Sequence, residues 1–148
     1  GMLHLEALAR FRFEIEAGQG LKMQHPSLAQ IRSAILSINP DGENPYVVVG
    51  NLEGGGFIQC LHAEEGCYVL EVRLVPPDGD WTKGPFVRAE LPSGQWEHPE
   101  HNDLVGSDRV LVAFNDYLND PGRIPDLEGV LWRDIVEELW EEGAVDAV

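Results

Sequence analysis

Four short strand patterns follow one another between residues 46 and 91, and this succession constrains the fold more than any other feature. The segments between them are too short for parallel crossovers, which need about a dozen residues or more. The sequence therefore predicts an antiparallel meander. The patterns are YVVVG at 46–50, GFIQCLH at 56–62, CYVLEVRLV at 67–75 and FVRAEL at 86–91.

The glycine run EGGGF at 53–57 lies between the first two patterns. No lysine followed by serine or threonine comes after it, and no helix pattern is placed to bind a phosphate, so it is not a P-loop. It predicts a tight hairpin turn. In FVRAEL, alternation places Val87, Ala89 and Leu91 toward a core and Arg88 and Glu90 toward water.

Other elements flank this meander. Strict alternation of apolar and mostly charged residues predicts one long strand over residues 1–16. Apolar residues at helical spacing, with Pro26 and Ser27 as start signals, predict a helix over 26–39. A second helix is predicted over 107–119, with Ser107 as its N-cap and Asp108 favourable at its positive end.

The final segment, 128–142, is predicted to run from a short strand into an acidic amphipathic helix. Its apolar stripe includes Trp132 and Trp140, which we expect in the core. Together the patterns predict an α+β fold. We expect residues 1–148 to form a single domain, mainly an antiparallel β-sheet meander with two to three helices packed on one face.

Length and composition agree with one ordinary domain, since 148 residues with 43% hydrophobic content can bury a core. No apolar run approaches the roughly 20 residues that cross a bilayer, and no secretion signal is recognisable, so we expect a cytoplasmic protein that does not bind membranes. Cys60 and Cys67 fit no redox or disulfide pattern and are expected to be reduced, mostly buried thiols.

The charge is strongly acidic and uneven. The chain has 26 acidic and 10 basic side chains, a net charge of −16, and residues 89–148 hold 15 of the acids but only 3 of the bases. Such a surface repels phosphate backbones, so direct binding of nucleic acid is not expected. It would speed the encounter with a basic protein and keep the chain monomeric or weakly dimeric.

The loop SGQWEHPEHND at 93–103 concentrates the residues that could perform chemistry. His98 and His101 are zinc-type ligands, but Pro99 opposes a regular helix, and the spacing is not that of HExxH. No serine or cysteine nucleophile motif occurs elsewhere. We therefore expect no cofactor, resident metal or catalysis, with two surface imidazoles in a polar loop. A small metal-dependent hydrolytic enzyme using His98 and His101 remains an alternative.

The order of these signals resembles the immunity proteins of bacterial polymorphic toxin systems, specifically the first-numbered immunity family, often encoded beside nucleic-acid deaminase toxins. The order and spacing of the pieces carry the resemblance, which spans residues 25–132. The matching pieces are HPSLAQIRSAIL, VVVGNLEGGGF, LPSGQWEHP, LVGSDRVLVAFNDYL and LEGVLW.

The resemblance implies an α+β fold, no catalysis, and tight one-to-one inhibition of a cognate toxin. Combined with the charge, it leads us to expect a partner with a basic surface. An acidic protein-interaction module within another complex remains a further alternative. Tryptophans in turn-rich loops are candidate anchors, and nearby or helical carboxylates are candidate charge partners. The expected partner-binding residues are Trp81, Trp96, Glu97, Glu100, Asp103, Asp134, Glu137, Glu138, Glu141 and Glu142.

Overall fold

The computed structural model describes residues 12–18, 20–42, 45–64, 66–76, 78–80 and 82–141. These ranges contain eight β-strands, which form one antiparallel sheet, and three α-helices. The α+β class and the antiparallel meander are therefore confirmed. The strands are β1 Phe13–Ala17, β2 Lys22–Gln24, β3 Tyr46–Asn51, β4 Phe57–Glu64, β5 Cys67–Arg73, β6 Phe86–Glu90, β7 Val105–Gly106 and β8 Leu131–Asp134.

The strands are ordered β2-β1-β3-β4-β5-β6-β8 across the sheet. β7 lies outside this path and pairs with β5 at Cys67 and Tyr68, beyond the residues of β5 that pair with β6. Two strands thus share one side of β5. After β6 the chain leaves the sheet and forms a long loop over residues 91–104. It then returns to the sheet as β7, which pairs with β5.

Two helices, α1 (Leu28–Leu36) and α2 (Ser107–Asn119), pack on one face of the sheet. The third helix, α3, is short and spans Val136–Glu141. Alternation along the strands supplies the sheet side of the core, and the apolar stripes of α1 and α2 supply the other side. Fully buried core residues include Ile15, Ile31, Val49, Leu70, Phe114 and Tyr117.

The opposite face of the sheet carries polar and charged side chains linked to one another. Arg88 donates from Nε and Nη2 to Glu71 at 2.9 and 2.8 Å, and Gln59 donates to the same carboxylate at 2.7 Å. As the sequence predicts, Val87, Ala89 and Leu91 are buried. Arg88 and Glu90, predicted to face water, are only partly exposed, because Arg88 pairs with Glu71 and Glu90 pairs with Arg133.

Several boundaries differ from the predicted ones. The strand predicted over 1–16 is seen at Phe13–Ala17, and its first eleven residues lie outside the described ranges. The helix predicted over 26–39 is shorter at both ends: Ser27 and Gln30 form a capping box at its start, and Ser37 is its C-cap. In the segment 128–142, Leu131–Asp134 pair with β6, so helix begins only at Val136.

The predicted turn around the glycine run is confirmed between β3 and β4. Gly55 and Gly56 have φ values of +74° and +83°. A Cβ atom at Gly56 would lie 2.6 Å from the carbonyl oxygen of Arg73, so this position needs glycine for space as well as for conformation.

Candidate functional site

The loop over residues 91–104 holds four of the ten predicted contact residues, and hydrogen bonds fix its backbone where it leaves the sheet. The amide of Leu91 donates to the carbonyl of Asn102 at 2.7 Å. A turn closed by the amide of Gln95 and the carbonyl of Pro92, at 3.0 Å, reverses the chain. Gly94 has a φ of +89° in this turn. The backbone thus folds back on itself just before Trp96.

Trp96 is 45% exposed. Its side chain and that of His98 line one surface depression of about 520 Å³, and the preceding residue, Gln95, lines a second one of about 620 Å³ together with Val112. Val112, on α2, is 46% exposed. We call Gln95, Trp96, Asp108, Val112 and Glu128 the Trp96 surface, which combines apolar side chains with two exposed carboxylates.

Glu97 holds this loop against α2. Its Oε2 accepts a hydrogen bond from the amide of Gly106 at 2.9 Å and lies 3.1 Å from Nη1 of Arg109. Gly106 is the N-cap of α2 and offers no side-chain cap, so the predicted cap at Ser107 is wrong. A carboxylate is favourable at this positive helix end. Glu97, predicted as a partner contact, therefore already has two partners within the chain.

His98 is not the surface imidazole predicted from the sequence, since its side chain is only 11% exposed. Its Nε2 lies 2.6 Å from Oε2 of Glu64, at the end of β4, and its Nδ1 accepts from the amide of Glu100 at 3.0 Å. Because Nδ1 accepts, the proton of the neutral ring belongs on Nε2, which donates to Glu64. His101 is exposed, and the two imidazole centroids are 4.9 Å apart.

The other two carboxylates of the loop differ in their surroundings. Glu100 is exposed, and within the described part of the chain no basic side chain forms an ion pair with it. Asp103 lies 3.8 Å from Nη1 of Arg88 and thereby joins the polar network on the open face of the sheet. Of these two residues, Glu100 is the one whose charge is open to a partner.

A second group of predicted contacts lies at the other end of the sheet. Asp134 pairs with Val87 at the start of β6, whereas the loop follows the end of β6. Asp134 and Glu137 are exposed, while Glu138 contacts Arg133 at 2.8 Å. From Val87, opposite Asp134, to Leu91, where the loop begins, β6 advances roughly 13 Å.

Three further predicted contacts cannot be placed. Trp81 and Glu142 lie outside the described residues, and for Glu141 only the helical backbone is described. For the residues that are described, the structure divides the predicted binding set between two ends of the sheet. It brings together Trp96, Glu97, Glu100 and Asp103 on the loop.

The thiols and Trp132 follow the sequence-based interpretation, whereas the side chain of Trp140, also predicted in the core, lies outside what the structure describes. Cys60 and Cys67 are buried and form no disulfide. Burial raises the pKa of Cys60 to about 12, so this thiol is no nucleophile at neutral pH. Trp132 is partly buried against the core, and its Nε1 donates to the carbonyl of Pro125 at 3.1 Å.

The sequence analysis did not identify Glu64 as a site residue. Pairing in the sheet shifts register between His62 and Glu64, so a bulge brings Glu64 opposite Cys67. Val112 and Glu128 were also missed, because α2 and the segment before β8 meet only in the folded chain. No helix in the described ranges is long and apolar enough to cross a membrane.

No family model, curated protein or solved structure matches this chain. The function must therefore be inferred from the residues and their geometry: an exposed tryptophan on a held loop, carboxylates around it, and a histidine pair beside Glu64.

Proposed function

We propose that the chain is a non-catalytic immunity protein that binds and neutralises a cognate toxin domain with a basic surface. The observation that carries the proposal is Trp96, which is 45% exposed on a loop held by neighbouring contacts. Glu97 ties the loop to α2, and His98 ties it to β4. An aromatic ring presented in this way loses little conformational entropy on binding, and tryptophan is enriched at binding hot spots.

The charges around Trp96 support a basic partner. Asp108 and Glu128 on the Trp96 surface, and Glu100 nearby, are exposed. No ion pair involves any of these three carboxylates within the described ranges. They are therefore available to lysine and arginine side chains of a partner, and the net charge of −16 favours the encounter.

Such a complex would inhibit the toxin by excluding nucleic acid from its surface. A toxin that acts on nucleic acid needs a basic surface to bind phosphates, and carboxylates can occupy that surface in their place. Trp96 and Val112 would form the dry centre of the interface, with Asp108, Glu128 and Glu100 at its rim. No covalent step is involved, so the inhibition requires no catalytic residue.

The experiment is growth of a host that produces the toxin domain encoded beside this gene, together with wild-type protein, Trp96→Ala or Leu36→Ala. Leu36 is 51% exposed at the end of α1 and serves as the matched apolar control. We expect the wild type and Leu36→Ala to restore growth. Trp96→Ala should weaken binding by about 2 kcal/mol, roughly a 30-fold rise in the off-rate, with little change in the on-rate.

Two outcomes would contradict the proposal. Failure of the wild-type protein to bind that toxin domain, measured by surface plasmon resonance with purified proteins, would refute the pairing. Equal off-rates for Trp96→Ala and Leu36→Ala would show that the toxin binds elsewhere, and the acidic end near Glu137 would then be the next surface to test.

A further inference from the structure

We infer that Glu64, His98 and His101 form a binding site for one divalent transition-metal ion of the zinc type. Each residue offers one ligand atom, and the three ligand atoms all lie within 4.8 Å of one another. Two of them, Nε2 of His98 and Oε2 of Glu64, are already 2.6 Å apart. Two imidazoles and one carboxylate therefore lie so close together that one ion could draw the three side chains onto itself.

The three residues come from two parts of the fold. Glu64 ends β4, where the bulge re-aims it, and the histidines belong to the loop over 91–104. His98 is mostly buried and its ring already lies beside Glu64, although an ion at Nε2 would cost it the hydrogen bond from the Glu100 amide. Glu64 and His101 face solvent, so an ion can enter without opening the core. A bound ion would cross-link the loop to the sheet.

The chemical types of the three ligands determine which kind of ion the site would bind. Magnesium and calcium prefer oxygen ligands alone, whereas a pair of imidazoles suits zinc and its first-row neighbours. Three protein ligands leave the fourth position of a tetrahedral zinc for water. Within the described ranges, Glu64, His98 and His101 form the one such group of histidine, cysteine and acidic side chains.

The hydrogen bonds predict how the proton moves when the ion binds. The amide of Glu100 donates to Nδ1 of His98, so the ring proton lies on Nε2. An ion bound at Nε2 takes the place of that proton, which moves to Nδ1, so His98 releases no net proton. Two N–H groups then face each other, and the Glu100 amide loses its acceptor. Metal binding therefore leaves a local signature at the Glu100 amide.

The experiment titrates zinc into the full chain, purified without a histidine tag, by calorimetry, with cobalt(II) absorption as a second probe. We expect one equivalent to bind, the melting temperature to rise with zinc concentration, and the NMR signal of the Glu100 amide to shift. His101→Gln and Glu64→Gln should each weaken zinc binding at least tenfold. His101 is exposed, so its substitution leaves the core intact.

The matched control is His25→Asn. His25 is an exposed histidine outside the cluster, with a φ of +53° that asparagine tolerates, and its substitution should leave zinc affinity unchanged. Absence of stoichiometric binding by the wild type, or equal affinities in wild type and His101→Gln, would overturn the inference. No toxin is present in the assay, so its result is independent of the proposed immunity function.

Discussion

Glu64 reaches the loop because β4 changes register at its end. Ile58 and Cys60 face the core, and strict alternation would direct residue 64 to the same side. The shift after His62 instead sets Glu64 opposite Cys67, whose Sγ lies 4.0 Å from the carbonyl oxygen of Glu97. Bulges commonly re-aim side chains in this way. A single extra residue thus connects the sheet to the candidate metal ligands.

Cys60 gives a prediction for alkaline pH. Its thiol is fully buried, and burial raises its pKa from 9.0 to about 12. As the pH rises, this thiol loses its proton in the unfolded chain before it does so in the folded chain. The stability that the buried thiol contributes is therefore complete below pH 9 and is lost as the pH rises toward 12. The expected loss in the free energy of unfolding approaches about 4 kcal/mol at pH 12.

Urea unfolding of wild type and Cys60→Ala between pH 8 and 11 measures this loss. The variant should start less stable at pH 8 because of the small cavity, but its stability should fall less steeply with pH. Parallel decreases in the two proteins would contradict the assignment to Cys60.

Among the strands and helices, the sequence predicted those that are long enough to show a periodic spacing of apolar residues. β3 to β6 and both α1 and α2 follow apolar spacing, and α2 has its predicted bounds of 107–119. The short strand predicted within 128–142 is seen as β8, whereas β2 and β7, with three and two residues, are too short to show a period. They exist because neighbouring strands supply hydrogen bonds, so their signal lies in pairing across the fold rather than in local sequence.

The contact that Glu97 makes just before α2 shows the same limit. Local rules search for a cap within three residues of the helix start, whereas Glu97 accepts from an amide nine residues later in the chain. Such a contact requires the loop to fold back first. The candidate site was therefore predictable as a loop rich in ionisable groups, but its division into structural and exposed carboxylates was not.

Glu97→Ala tests this contact. The substitution removes the acceptor for Gly106 and the ion pair with Arg109, and it should lower the free energy of unfolding by about 1 to 2 kcal/mol. The matched control is Glu100→Ala, whose side chain is exposed and should matter by less than about 0.5 kcal/mol. Equal midpoints in chemical denaturation of the two variants would show that Glu97 contributes nothing to α2.

In the proposed complex, the two ends of the sheet would have different roles. Trp96 lies on the loop at one end, and Asp134 and Glu137 lie at the other. A partner held at Trp96 would touch the first end, while the acidic groups at both ends would contribute to the field that attracts it. Contacts mainly set the off-rate, and the long-range field mainly sets the on-rate.

Reversing acidic charges far from Trp96 separates the effect of the long-range field from the effect of the Trp96 contacts. We expect Glu137→Lys with Glu141→Lys to lower the on-rate for the toxin and leave the off-rate unchanged, because the field is weakened while the Trp96 contacts remain. The wild-type on-rate should fall as salt rises, since the Debye length is about 8 Å at physiological ionic strength. Stopped-flow association at several salt concentrations measures both effects, and a wild-type on-rate independent of salt would exclude steering.

The return of the chain to β5 has a consequence for how such a protein could change its partner. β6 and β7 both rest on β5, so the loop between them begins and ends on one rigid support. Lengthening a loop anchored in this way costs little, about 0.6 kcal/mol for each doubling. In the proposed complex, residues added near the exposed Trp96 would alter the contact with the partner, while Glu97 and His98 keep the loop attached to α2 and β4.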